Sequence, residues 1–348
     1  MGGADAWVVV LEPNARPQDA KIVAGAVGDL QPGVSITQGD AWSAIAFADG
    51  RHEDQVAAIR SLRGVDRVVA VTAPYRLASR EVFERDVAVR IGDANEGPSS
   101  QIGGDAQISV MVGLGHRGRS KEEGPRLFAE VRSAGATILL AGRVSAGSGA
   151  TEHGWLSLED LRALRDVTAE ADLALAAEIS ELRQIAEVAG LVDILQVGGA
   201  SMQDFNLLRE LGRADRPVLL RRGSGSIVEE FLLAAEYVLT HGNGRVILCE
   251  SGIRTFDATY APRFEINAVP VMKRATHLPV VADPSHATAH PRVVPAVAKA
   301  AVAAGADGLV LEIADGPDAD ESAIGMSEFK TLMHELEPIA SAVGRRVQ

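Results

Sequence analysis

From about residue 106 to the C-terminus, short apolar runs alternate with longer stretches whose apolar residues recur every three or four positions. The runs are QISVMVGL, ATILLAG, LALAAEI, DILQVGG, PVLLRRG, RVILCES, LPVVADPS and GLVLEI. Between them lie KEEGPRLFAEVRSAG, SLEDLRALRDVTAEA, SELRQIAEVAG, SIVEEFLLAAEYVLTHG and HPRVVPAVAKAAVAAG, which carry the helical period. Continuous apolar runs indicate strands buried on both faces. Eight of them separated by helices predict a closed parallel (β/α)8 TIM barrel over 106–348. No G-x-G-x-x-G opens a helix here, so a dinucleotide fold has little support.

Residues 1–75 read differently. AWVVVLEP predicts a strand, RPQDAKIVAGAVGDL a helix, GVSITQGD and WSAIAFAD two strands, HEDQVAAIRSLRGV a helix and DRVVAVTAP a last strand. The order β-α-β-β-α-β is that of a small ferredoxin-like α+β domain. Such domains bind regulators or pair with a second copy. Residues 76–105 are polar and turn-rich, and are expected to be a linker with one or two short strands.

Composition narrows the function. The formal net charge of −13 opposes a nucleic-acid surface and an anionic membrane, both of which need clustered Lys and Arg. Cys249 stands alone, which excludes an intrachain disulfide and a cysteine-rich zinc site. No run approaches 18 apolar residues, and a cytoplasmic location is expected.

A parallel barrel places its chemistry at the C-terminal ends of its strands. Those ends carry His116 and Arg117; Arg143, with His153 in the loop beyond; Glu178; Arg221 and Arg222; Glu250, Ser251 and Arg254; Asp283, Ser285 and His286; and Glu312. Arginine forks match carboxylate and phosphate, so a small anionic substrate is expected. Strand alternation lets only one of Arg221 and Arg222 face the mouth. Glu178, Glu250 and Glu312 can act as bases, as metal ligands or as arginine partners. His286 is a candidate for proton transfer or for ligation. Asp283, before Pro284, is placed to cap the following turn.

The segments PYRLASRE, RPVLLRRG, EEFLLAAEYVLTHGNGRVILCESGIRTF, AVPVMKRATHLPVVADPSHA and GADGLVLEI closely resemble the Iβ class of 3-deoxy-D-arabino-heptulosonate 7-phosphate (DAHP) synthases. The resemblance covers nearly the whole chain and implies the same barrel and N-terminal domain. It also implies a homodimer or homotetramer, and an aromatic amino acid as candidate effector. Members condense phosphoenolpyruvate with erythrose 4-phosphate in a metal-dependent, aldol-like step.

Carried over by position, two of the family's four metal ligands are present, His286 and Glu312. Gly115 stands where the family has cysteine, and Ile324 lies near the aspartate position, with Asp318, Asp320 and Glu321 close by. A bound Mn, Zn or Fe ion is therefore disfavoured. The phosphoenolpyruvate motifs change as well. Val144-Ser145-Ala146 replaces Lys-Pro-Arg, Gly198-Gly199-Ala200 replaces Gly-Ala-Arg, Arg221 replaces lysine and Ser251 replaces arginine. Each lost charged hydrogen bond costs about 1.5–3 kcal/mol, so three weaken binding by roughly three to six powers of ten.

The expectation is a repurposed, metal-independent barrel enzyme, a lyase or isomerase with aldol chemistry close behind. Its substrate would be a shikimate- or chorismate-derived acid or another oxo acid. His286, Glu250 and Glu312 form its catalytic set. Arg221, Arg254, Arg143, His116, Arg117, Ser251, Glu178 and His153 bind the substrate. The alternatives are an active DAHP synthase with a rebuilt site and a noncatalytic regulatory paralogue.

Overall fold

Eight parallel strands close on themselves. They are preceded in the chain by β1 (Ala6–Leu11), β2 (Thr37–Gln38), β3 (Ser43–Phe47), β4 (Val65–Val71), β5 (Ala88–Ile91) and β6 (Ser100–Gly103). The barrel strands are β7 (Gln107–Gly113), β8 (Ile138–Arg143), β9 (Ala174–Ile179), β10 (Ile194–Val197), β11 (Val218–Arg221), β12 (Val246–Glu250), β13 (Val280–Ala282) and β14 (Gly308–Glu312). Each pairs with the next, and β14 pairs with β7 from Gly308↔Ser109 to Glu312↔Gly113, which completes the barrel. A short β15 (Arg346–Val347) adds to the outside of β7. The computed structural model describes residues 6–48, 53–92, 99–104, 107–115, 123–144, 155–256, 262–288, 290–314 and 322–347. Among them no helix is long and apolar enough to cross a membrane.

Alternation along the strands sorts the side chains. Met111, Ile138, Ala176, Ile194, Leu219, Ile247, Cys249, Val281 and Val310 pack inside the barrel. Their neighbours Val110, Leu139, Leu175, Leu195, Leu220, Leu248, Val280 and Leu309 face the helices. Three of those helices, Phe205–Leu211, Ala268–Ala275 and Met326–Ala342, add to the stretches that the helical period marks. Capping is explicit in Leu158–Glu170. Ser157 accepts from the Asp160 backbone N–H, and the Asp160 carboxylate accepts from that of Ser157.

β1 to β4 form an antiparallel sheet in the order β2-β3-β1-β4, with the helices Pro17–Leu30 and Glu53–Arg60 between its strands. Of the eight residues in GVSITQGD, only Thr37 and Gln38 form a strand. This edge is tied to the barrel. Thr37 Oγ1 donates to the Leu239 carbonyl at 2.6 Å, and the Gly244 N–H donates to the Gln38 carbonyl at 2.7 Å. Trp42, Phe83 and the fully buried His277 form a ring cluster at the same junction. The β5–β6 hairpin places Val89, Ile91 and Ile102 into the interior cluster, and Ser109 Oγ donates to the Gln101 carbonyl at 2.8 Å. These contacts gather at the end of the barrel where its strands begin, which leaves the opposite mouth to the candidate site.

Candidate active site

Arg221 continues the inward parity of Leu219, and Arg222 turns outward with Leu220. Only Arg221 lines a cavity of about 160 Å³ at the mouth, together with Gly113, Glu178, Gln196, His286 and Glu312. Its guanidinium reaches past β12 to form an ion pair with Asp283, just beyond β13.

Asp283 is fully buried and serves several groups at once. One oxygen accepts the His286 backbone N–H at 3.0 Å, the turn cap that the sequence suggests. Its other oxygen lies 2.9 Å from His286 Nδ1. Held this way, the imidazole places Nε2 3.8 Å from Glu312 Oε1. Ser285 Oγ accepts the Glu312 backbone N–H at 2.9 Å, which joins the ends of β13 and β14. The Glu312 carboxylate lies where a side chain on Gly113 would project. The apolar strand therefore ends in Asp283-Pro284-Ser285-His286 because that corner caps a turn, anchors Arg221 and aims an imidazole.

Glu178 lines the opposite wall; Arg143, which does not itself line the cavity, donates from Nε to Glu178 Oε1 at 2.8 Å, and its Nη2 lies 2.6 Å from the same oxygen. The guanidinium stacks over Trp155 at 5.3 Å. Gln196 Nε2 donates to Glu178 Oε2 at 3.1 Å.

The structure does not bring Glu250 into the cavity. Ile247 and Cys249 face the barrel interior, so Glu250 points outward, fully buried, with Arg222 Nη1 2.7 Å from its Oε2. The Gly252 N–H donates to its other oxygen at 2.9 Å. Burial pushes the Glu250 carboxyl above its usual range, against the opposing pull of Arg222. Ser251 Oγ donates to the Arg222 carbonyl at 3.1 Å, and Arg254 is exposed; neither lines the cavity. His116, Arg117, His153, Ser145, Asp318, Asp320 and Glu321 lie outside the described residues.

The strand-end reading missed Gln196, which lines the cavity, and Trp155, which lies under Arg143. Gln196 sits inside a strand rather than at its end. Its parity with Ile194 was the available signal. Trp155 lies just before a helix cap, and no local pattern marks it.

Among the described residues, no group of three or more His, Cys, Asp or Glu side chains is arranged to hold a metal ion. His286 and Glu312 offer two donors, and the space where a Gly115 side chain would project is open.

Residues 91–343 match the sequence model of the DAHP synthetase I family. The chain is 29% identical to the phospho-2-dehydro-3-deoxyheptonate aldolase of Thermotoga maritima, over 98% of its own length and 99% of the relative's. It is 28% identical to a 2-dehydro-3-deoxyphosphooctonate aldolase of Thiobacillus denitrificans, over 54% of this chain and 71% of that one. The crystal structure of the Thermotoga maritima DAHP synthase matches with a TM-score of 0.73 at 29% identity, covering 99% of this chain and 100% of the other. A truncated form of a Thermotoga maritima synthase matches at 0.69 and 30% identity, covering 78% of this chain.

Proposed function

Because the chain belongs to the DAHP synthetase I family, we propose that it is a barrel enzyme performing aldol-type carbon–carbon chemistry on a small oxo acid, with His286 moving the proton. The observation that carries this reading is the imidazole set between buried Asp283 and Glu312 at the cavity wall.

Asp283 keeps the proton on Nδ1, so Nε2 acts as the base. The substrate carboxylate lies on the Arg221 guanidinium. His286 Nε2 removes a proton from the carbon beside the oxo group, and the electron pair moves onto the carbonyl oxygen as an enolate. The enolate carbon attacks an aldehyde, and the new alkoxide takes the proton back from the imidazolium. Cleavage is the reverse. Asp283 and Glu312 flank the ring, and both stabilise the imidazolium in both directions.

The family's divalent ion fits the described donors poorly, since one imidazole nitrogen and one carboxylate are too few for a firm site. No step here runs through a metal. A shikimate- or chorismate-derived acid stays within this substrate class. The proposal includes a homo-oligomer, a cytoplasmic location and an aromatic amino acid as effector of the N-terminal domain.

The full-length similarity to the Thermotoga maritima enzyme favours a second reading, synthesis of the heptulosonate itself. Two assays separate them. In D2O, proton NMR of pyruvate with an aldehyde should show methyl exchange that falls at least about a hundredfold in His286→Ala. Heptulosonate formed briskly from phosphoenolpyruvate, erythrose 4-phosphate and manganese would replace the first reading with the second.

A further inference from the structure

Building on the mouth as an acid-binding site, we infer that Glu178 is a specificity-determining residue. It occupies the Arg143 guanidinium and tunes the site to carboxylates against phosphate. The carboxylate is held by two donors and sits in a gap that a glycine leaves. Arg143 Nε donates to Oε1 at 2.8 Å, and Gln196 Nε2 donates to Oε2 at 3.1 Å. Gly198 leaves that gap, since a Cβ there would come within 2.7 Å of Oε1. Arg143 is in turn steadied by its stack on Trp155. Glu178 thus fills the position on a planar, oriented guanidinium that the oxygens of a bound anion would take.

An ion pair between neighbouring strands serving stability alone would account for Arg143 and Glu178, which share a register. It would not account for a carboxylate on the cavity wall, held there by an inward-facing glutamine and a glycine with no space for a side chain.

Charge points the same way. Among the described residues, the mouth sets two guanidinium groups, Arg143 and Arg221, against three carboxylates, Glu178, Asp283 and Glu312. A carboxylate ligand brings one negative charge, whereas a phosphate group brings about 1.5 to 2 at neutral pH. Repulsion grows with ligand charge and is weakly screened inside a cleft. Glu178 therefore penalises phosphate more than carboxylate, and removing its charge releases Arg143 as an anion site.

Isothermal titration calorimetry of the full chain with inorganic phosphate and with pyruvate tests this. In Glu178→Gln, phosphate affinity should rise at least about tenfold, the phosphate-to-pyruvate affinity ratio should rise with it, and the salt dependence should steepen. Arg143→Ala in the same background should abolish the gain. Glu178→Asp, which withdraws the carboxylate by one methylene, should move in the same direction by less, and it decides the matter if the glutamine variant does not fold. Unchanged phosphate affinity in folded variants, a gain that survives Arg143→Ala, or a wild type that already binds phosphate more tightly than pyruvate would overturn the inference. These titrations read binding, so they judge Glu178 whether or not pyruvate turns over. Failure of methyl exchange would count against the reaction alone.

Discussion

Two adjacent arginines show how one residue of register separates function from structure. Arg221 turns into the mouth and meets Asp283, while Arg222 turns out and is buried against Glu250. Arg222 also donates from Nε and Nη2 to the Ser226 carbonyl, so most of its donors are satisfied without water. Removing it with Arg222→Ala leaves a fully buried carboxylate without its cation. Such a change typically costs about 3–5 kcal/mol. The urea midpoint should fall accordingly, with the loss appearing as stability and not as a selective fall in turnover. The alternation that decides this was present in the sequence: Ile247 and Cys249 set the inward parity, and Glu250 falls out of step with them. Reading Glu250 as catalytic gave strand position more weight than strand face. The Arg221–Asp283 pair was not legible, because it joins the ends of β11 and β13 across the intervening β12, and only the strand order of the folded sheet creates that neighbourhood.

At the scale of elements, all eight barrel strands overlap the apolar runs that predict them, because strands buried on both faces tolerate few polar interruptions. Thr37–Gln38 is the weak case. GVSITQGD has an alternating pattern, yet this edge strand pairs with β3 on one side and meets the barrel through one isolated bridge at Asn243 and the Thr37 hydroxyl, so little of it is held extended. The site itself depends on glycines in the strands. Gly113 ends β7 facing β14, and the Glu312 carboxylate occupies the space that its missing side chain leaves. In Gly113→Ala the methyl group meets the far end of a flexible side chain, which can swing aside at small cost. The thermal midpoint should stay within a few degrees, while exchange of pyruvate protons should fall at least about tenfold as Glu312 leaves His286. A similar fall in stability and in exchange would mean that Gly113 matters for packing and not for placing the carboxylate.

The whole molecule divides its two ends: the candidate site at the C-terminal mouth, and anchorage of the N-terminal sheet at the other. His277 lies at the centre of that anchorage. Its Nε2 donates to the Leu77 carbonyl at 2.7 Å, its ring packs against Trp42 and Phe83, and its buried Nδ1 has no hydrogen-bond partner. Burial holds the imidazole neutral and lowers its pKa to about 4, helped by the charge of Arg80 and opposed by the Leu77 carbonyl and by Asp86. A depressed histidine pKa means that the unfolded chain binds this proton more readily than the folded one. Its contribution is therefore intact above the ordinary value near 6.5 and is lost as the pH falls from there to about 4. The difference amounts to on the order of 3 kcal/mol. Nearby Asp86 also weakens the fold on acidification. Burial raises its carboxyl, but Lys273 and Arg80 outweigh burial and hold it below its usual range. A variant is needed to isolate the histidine. His277→Gln keeps an N–H for the Leu77 carbonyl and removes the titrating ring. Urea unfolding at pH 7, 5.5 and 4 should show wild type losing on the order of 3 kcal/mol relative to this variant across the series, with Trp42 fluorescence changing as the junction opens. Parallel pH curves for the two proteins would place the acid sensitivity elsewhere and leave His277 as packing alone.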